Sequence, residues 1–229
     1  MVRVTKFVGL FLRLALFALL TRLFSLAGIR IGHIVGSRAA FFSGGSVMTP
    51  LAGLFGSVFE CGLLSVANAF FVFFSGAATS HVFTFGIPSF FAALYWAKPS
   101  FWTRLVVPIV CMVLFGLHPI GYEALPYTFY WFIPMALYLF RRDTIFSNAL
   151  GSTFVQHAVG SVIWLYSTPT TPAMWLSLIP EVARERLLIA GWMLCVYAAA
   201  LLAYRTWCHI QRYIPRMTSI SDAFKGVSE

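Results

Sequence analysis

Charge is scarce in this sequence of 229 residues, of which only 10% are Asp, Glu, Lys or Arg. Between Val47 and Ala97 the only charged residue is Glu60. Soluble domains carry about 25% charged residues, and a soluble fold of this length cannot hide a sequence that is 60% hydrophobic. The shortage of charge therefore excludes a soluble globular domain and predicts an integral membrane protein.

The sequence also lacks the motifs of catalytic and metal sites. It contains no Gly-x-Ser-x-Gly, His-Glu-x-x-His or Walker sequence, and Asp143 and Asp222 are its only aspartates. The four cysteines are scattered, without a Cys-x-x-Cys pair or a histidine at metal spacing. We therefore expect no enzyme activity, no metal site and no cofactor. Without a Walker sequence, any energy from ATP has to come from another chain.

The charge that is present is mostly basic, with a net charge of +9. In a soluble protein this excess would suggest nucleic acid. Here the basic residues lie mostly at the ends of apolar runs, as the residues that set membrane topology do. We therefore expect a lipid bilayer around the protein and no nucleic-acid partner.

Apolar runs, separated by charges or by Pro and Gly clusters, predict an all-α fold. We expect one domain, a polytopic helical bundle with six to seven transmembrane helices. The predicted spans are 7–26, 47–74, 82–97, 105–120, 124–140, 145–166 and 184–204, followed by a basic cytoplasmic tail over 205–229. The run 47–74 is long for one crossing, because about 20 residues suffice.

The positive-inside rule orients the second half of the chain in a plasma membrane. Lys98 and Arg104, Arg141 and Arg142, and the basic tail all fall on the cytoplasmic side if the spans alternate. The C-terminus is then cytoplasmic. Basic residues flank the first span on both sides, so charge alone leaves six and seven spans, and hence the side of the N-terminus, open.

A polar stripe runs along the predicted span 145–166. Its members recur every fourth residue, with His157 beside them: Asn148, Ser152, Gln156, Gly160 and Trp164. The stripe is either a helix-packing seam or the wall of a polar ligand cavity. A proton-relay role for His157 is a third interpretation. Glu60 and Asn68 are a second set of polar residues within a predicted span.

Aromatic residues, among them Tyr127 and Trp131, cluster in and after the predicted outer turn around Glu123. Such residues are most often an interfacial belt, and the alternative is that they stack on a flat ligand.

Two stretches resemble the substrate-binding S components of energy-coupling-factor vitamin transporters, with the biotin-type members as the nearest comparison. They are "FSGGSVMTPLAGLFGSVFECGLLSVA" and "ALGSTFVQHAVGSVIWLYSTPTTPAMWLSLIPEVARERLLIAGWML". The resemblance implies capture of a vitamin or similar micronutrient from the outer face. It also implies transfer of this substrate to a separate transmembrane coupling subunit driven by ATPase subunits. The Ala-x-x-x-Ala docking face of the first helix is not matched, since Ala15 and Ala18 have a different spacing.

The resemblance also implies that the first loop closes over the substrate, opposite the outer connection that carries Trp175. Arg30 and Arg38 in this loop favour an anionic substrate such as a carboxylated vitamin. In the alternative topology the loop is cytoplasmic and both residues are topology anchors. The competing function is a structural or assembly subunit whose polar residues only pack helices.

Overall fold

The computed structural model of the chain describes residue 62, residues 86–97 and residues 100–225, with side chains up to residue 210. Within these ranges every element of regular structure is helical and no strand occurs. The predicted all-α fold is therefore confirmed for this part of the chain. The predicted span 7–26, and all of the predicted span 47–74 except Gly62, lie outside it.

The helices are joined by short connections. They are α1 (Ile87–Ala97), α2 (Val107–Leu117), α3 (Pro119–Glu123), α4 (Phe132–Leu139), α5 (Ile145–Ser167), α6 (Pro172–Ser177) and α7 (Ile179–Lys225). A π-helical segment, Trp102–Val106, leads directly into α2, and a 3-10 helix, Leu125–Trp131, leads directly into α4.

Local sequence explains where α5 begins. Thr144 is its N-cap, and the Thr144 hydroxyl accepts a hydrogen bond from the Ser147 backbone N–H at 3.2 Å. The Ser147 hydroxyl in turn accepts from the Thr144 backbone N–H at 2.8 Å. This reciprocal arrangement satisfies two backbone donors that a helix start otherwise leaves free. The observed bounds of α5 agree with the predicted span 145–166 to within one residue.

α7 extends beyond the predicted span 184–204 in both directions. Its start at Ile179 is favourable because Pro180 is tolerated in a first helical turn and Glu181 carries negative charge there. In the described part of the chain, one helix, Ile179–Ile210, is long and apolar enough to cross a membrane. The helices Ile87–Ala97 and Trp102–Leu117 are apolar but shorter. One such helix is weak support for membrane association, and the remaining spans stay predictions.

The chain divides into two compact units, Met1–Met193 and Leu194–Glu229. In the first unit α5 is the central helix and contacts α1, α2, α4 and the 3-10 helix before α4. Nine consecutive residues of α5, Gly151–Val159, are buried. A helix that is buried on every side meets neither lipid nor water there, so its polar side chains have to be satisfied by neighbouring helices. The second unit, as far as it is described, belongs to α7.

The two ends of the bundle in the first unit carry different residues. At one end Arg104 contacts Asp143 and Asn148, so Arg104 and the basic turn at residues 141–143 lie together. At the other end the Tyr166 hydroxyl donates to the Leu114 carbonyl at 2.8 Å, and the His118 ring contacts the Tyr166 ring. The turn at residues 118–124 and the start of the connection after α5 therefore lie near each other, and neither contains Lys or Arg.

α1 and α5 approach each other closely at Gly151. A Cβ atom added at Gly151 would overlap the hydroxyl of Tyr95, whose side chain is 1% exposed. The guanidinium of Arg104 lies 4.6 Å from the centre of the Tyr95 ring and covers one of its faces. The ring is therefore held between α5 and Arg104, and it has little room to move away from a larger residue at position 151.

We expect Gly151→Ala to destabilise the fold, because the added methyl group forces Tyr95 out of its buried position. Overpacking of this kind typically costs about 1–3 kcal/mol. The matched control is Gly191→Ala on α7, where an added Cβ meets no atom within 4 Å. Melting of both purified variants in detergent tests this expectation. If the melting temperature of Gly151→Ala is equal to or higher than that of the Gly191→Ala control, the close α1–α5 contact is contradicted.

Candidate functional site

His157, at the buried centre of α5, makes hydrogen bonds with both ring nitrogens. Nε2 lies 2.7 Å from the hydroxyl oxygen of Tyr127, and Nδ1 accepts from Trp131 Nε1 at 3.2 Å. The Ser161 hydroxyl, one helical turn further along, lies 3.3 Å from both His157 Nε2 and the Tyr127 hydroxyl. We refer to His157, Tyr127, Trp131 and Ser161 together as the His157 node.

These partners determine where the proton of the His157 ring sits. An indole N–H such as Trp131 Nε1 can only donate, so His157 Nδ1 carries no proton. The ring is therefore neutral with its proton on Nε2, and Nε2 donates to the Tyr127 oxygen. The Tyr127 hydroxyl is then free to donate to Ser161. Every polar atom of the His157 ring is occupied inside the protein.

Gln156 lies next to His157 but is satisfied only in part. Its Nε2 donates to the Ser89 hydroxyl of α1 at 3.0 Å, and the residue is 6% exposed. Its Oε1 is buried and has no hydrogen-bond partner among the described residues. Leaving a buried acceptor without a donor costs on the order of 1–3 kcal/mol. The Gln156 carbonyl oxygen is thus an open acceptor in the middle of the bundle.

Ser152, one turn before Gln156, is fully occupied. It accepts a hydrogen bond from Trp96 Nε1 at 3.0 Å, across the contact between α1 and α5. Its own hydroxyl lies within hydrogen-bond distance of the Ala149 carbonyl, at 3.1 Å, and of Met193 Sδ, at 3.6 Å. Ser152 therefore joins α5 to α1 and to α7 as a packing residue.

Asn148, at the start of α5, belongs to a charged cluster. Arg104 donates to Asn148 Oδ1 at 2.8 Å and to Asp143 Oδ1 at 3.3 Å, and Asn148 Nδ2 donates to the same Asp143 oxygen at 2.9 Å. The hydrogen bond from Asn148, together with the hydrogen bond and charge of Arg104, lowers the pKa of Asp143 below its usual value. The cluster neutralises Arg104, which is 4% exposed.

The structure brings Trp164 and Trp175 together, with ring centres 5.2 Å apart. Trp175 of α6 is fully buried and also packs edge-on against Phe115 and Tyr127, at 5.1 Å and 4.8 Å. Its Nε1 donates to the Thr170 hydroxyl at 3.0 Å. Through Tyr127, this aromatic cluster is continuous with the His157 node.

A buried ion pair lies near the start of α7. Arg186 donates to Glu185 Oε2 at 2.7 Å, and both side chains are 9% exposed. Glu185 Oε1 and Arg186 Nε have no hydrogen-bond partner among the described residues. The ion pair is therefore buried but only partly hydrogen-bonded within the described part of the chain.

Four predicted site residues lie outside the described residues: Arg30, Arg38, Glu60 and Asn68. Among the other six, the structure brings Trp164 and Trp175 together and places Gln156 beside His157. Asn148 and Ser152 lie nearer the start of α5 and contact other partners. Groups of three or more His, Cys, Asp or Glu residues that could hold a metal ion do not occur in the described part of the chain.

Sequence reasoning missed several residues that complete this site. Ser89 interrupts a strongly apolar helix, and a lone serine there is a usual sign of a hydrogen bond between helices. Tyr127 and Trp131, which the sequence grouped only with the aromatic residues of the outer turn, are buried and hydrogen-bonded to His157. Glu185 and Arg186 are adjacent charges inside the predicted span 184–204, which is itself a sign of a functional position.

Comparison with known proteins yields no match, whether with protein-family models, with curated proteins or with solved structures.

We expect Tyr127→Phe to destabilise the protein, because it removes the acceptor of the buried His157 Nε2–H. An unsatisfied buried group costs about 1–3 kcal/mol. The cost here is expected towards the lower end of this range, because the Ser161 hydroxyl can accept the hydrogen bond from His157 Nε2 instead. Thermal melting in detergent measures the effect. Tyr166→Phe is the control, since the Tyr166 hydroxyl bonds to Leu114 at an exposed position. Equal melting of the two variants would show that the His157 node contributes nothing to stability.

Proposed function

We propose that the chain is a substrate-capture subunit of a membrane transporter. It takes up a vitamin or similar micronutrient and passes it to a separate transmembrane coupling subunit driven by ATPases. In this proposal it works like the S components of energy-coupling-factor transporters that its sequence resembles. It crosses the plasma membrane six or seven times, with the C-terminus in the cytoplasm.

The observation that carries this proposal is the open acceptor of Gln156. A helix that served packing alone would have no need for a buried carboxamide whose oxygen has no donor among the described residues, because leucine fills a similar volume without that cost. Ser89 holds the Gln156 amide by its nitrogen, which fixes the side chain and leaves the oxygen available. A polar ligand that donates to this oxygen would complete the hydrogen bonding of the site.

The distribution of charge supports the proposed topology. At one end Arg104 contacts Asp143 of the basic turn at residues 141–143, and the turns without Lys or Arg lie at the end where Tyr166 contacts Leu114. The positive-inside tendency then assigns the Arg104 end to the cytoplasm. Trp164 and Trp175 fall near the outer end, where a captured substrate enters.

A second candidate function is a structural or assembly subunit without a ligand. The internal hydrogen bonds of Ser152 and of the His157 node favour it, because these polar groups are satisfied by packing alone. The two functions make opposite predictions for Gln156. In a packing protein the residue stabilises the fold, and in a capture subunit it binds the substrate.

We expect Gln156→Leu to weaken ligand binding roughly tenfold or more while the protein still folds, since a lost hydrogen bond of this kind costs on the order of 1–3 kcal/mol. Equilibrium binding of a panel of labelled vitamins to the purified chain measures this, alongside uptake by cells with and without co-expressed coupling subunits. The control is Ser152→Ala, one turn away on the same helix, which loses a packing hydrogen bond and should bind normally.

The capture function is contradicted if no vitamin in the panel is bound or taken up. It is also contradicted if Gln156→Leu binds like the unaltered protein but melts at a lower temperature. That second pattern, shared with Ser152→Ala, is the one expected of a structural subunit.

A further inference from the structure

The ion pair between Glu185 and Arg186 is incomplete. Adjacent residues on a helix project about 100° apart, and here the two side chains meet through a single hydrogen bond, from Arg186 to Glu185 Oε2. A buried arginine and carboxylate more often share two parallel bonds. The second carboxylate oxygen and Arg186 Nε are buried and have no partner among the described residues. One acceptor and one donor of the same ion pair are therefore left without a partner in the described part of the chain.

The surroundings of this pair show why the missing partners matter. Both residues are more than nine-tenths buried, at 7% and 8% exposure. Removing charged groups from water is costly unless their remaining hydrogen bonds are made. A ligand group that supplies the missing hydrogen bonds would lower that cost.

We propose that Glu185 and Arg186 bind a neutral ligand group that carries a hydrogen-bond acceptor and a donor side by side. Arg186 Nε donates to the acceptor, and Glu185 Oε1 accepts from the donor. Primary amides, lactams, ureas and the edges of pyrimidine-like rings have this arrangement. The inference rests on the proposed capture function and names the chemical class of the ligand group that Glu185 and Arg186 bind.

Charge balance decides between a neutral group and an anionic one. The charges of Glu185 and Arg186 cancel, so the ion pair carries no net charge. An anionic group entering here would leave one uncompensated negative charge in a buried region, and a cationic group one positive charge. Either is strongly unfavourable in an apolar interior, whereas a neutral donor–acceptor group adds no charge. The pair therefore selects against a carboxylate at this position.

The test replaces both residues at once, as Glu185→Met with Arg186→Met. Exchanging a buried ion pair for apolar side chains of similar size is often neutral or stabilising, so the double variant is expected to fold. The control is Glu181→Gln with Arg184→Gln, which removes the neighbouring ion pair of α7, where Arg184 is exposed. Melting without ligand and size-exclusion chromatography verify that both variants are folded.

The probes are acid and amide forms of the same skeleton, namely nicotinate with nicotinamide and lipoate with lipoamide, together with uracil and the vitamin panel. Thermal stabilisation and equilibrium binding are measured for each. We expect amides, cyclic ureas or uracil-like rings to bind the unaltered protein and the control. We expect affinity to fall roughly 100-fold in the double Met variant, as two hydrogen bonds to charged groups are lost.

Each other outcome overturns the inference in a distinguishable way. Preferential binding of the acid forms, or a folded double Met variant that binds ligand normally, contradicts the role of the ion pair but leaves the capture function standing. If no probe or vitamin binds and none is taken up, the capture function fails and this inference falls with it. A double Met variant that cannot fold even though the control folds assigns the pair a structural role and overturns the inference as well.

Discussion

The polar side chains at the centre of α5 depend on partners from neighbouring helices, because nine consecutive residues of this helix are buried. An unsatisfied polar group there costs free energy comparable to a lost hydrogen bond. The surrounding helices therefore have to present donors and acceptors at the same positions along the axis of α5. Trp96 does so for Ser152, Ser89 for Gln156, and Tyr127 with Trp131 for His157. The close approach of α1 and α5 at Gly151 follows from the same need for short contacts.

The buried polar groups of the interior differ in whether all of their hydrogen bonds are made. Both nitrogens of the His157 ring have partners, and the rings of Phe115, Trp131 and Trp175 pack around Tyr127. Gln156 Oε1, Glu185 Oε1 and Arg186 Nε have no hydrogen-bond partner among the described residues, and the same holds for the Thr153 hydroxyl of α5. A binding site requires unsatisfied polar groups that the surrounding packing holds in place. Little conformational entropy is then lost when a ligand binds. The proposed capture function follows from this combination.

The sequence predicted the all-α fold and the limits of α5 because both depend on local features: apolar composition, and a Thr-Ser start that satisfies its own backbone. It also singled out Gln156 and His157, since polar residues are conspicuous in an apolar helix. Their partners could not be predicted in the same way. Ser89 lies 67 positions from Gln156, and no local pattern joins the two. Aromatic residues such as Trp131 occur both at membrane interfaces and in cores, and only the packing of Phe115 and Tyr127 against Trp131 decides between them.

The protonation of the His157 ring tests this account most directly, because it reports whether Trp131 and Tyr127 hold the centre of α5 as described. The measurement is nitrogen NMR on the full chain with histidine labelled at both ring nitrogens. The protein has five histidines, and a His157→Gln variant identifies the signals of this one. At neutral pH the account predicts a neutral ring with the proton on Nε2 and none on Nδ1. A proton on Nδ1, alone or together with one on Nε2, is incompatible with the Trp131 hydrogen bond and would contradict the account.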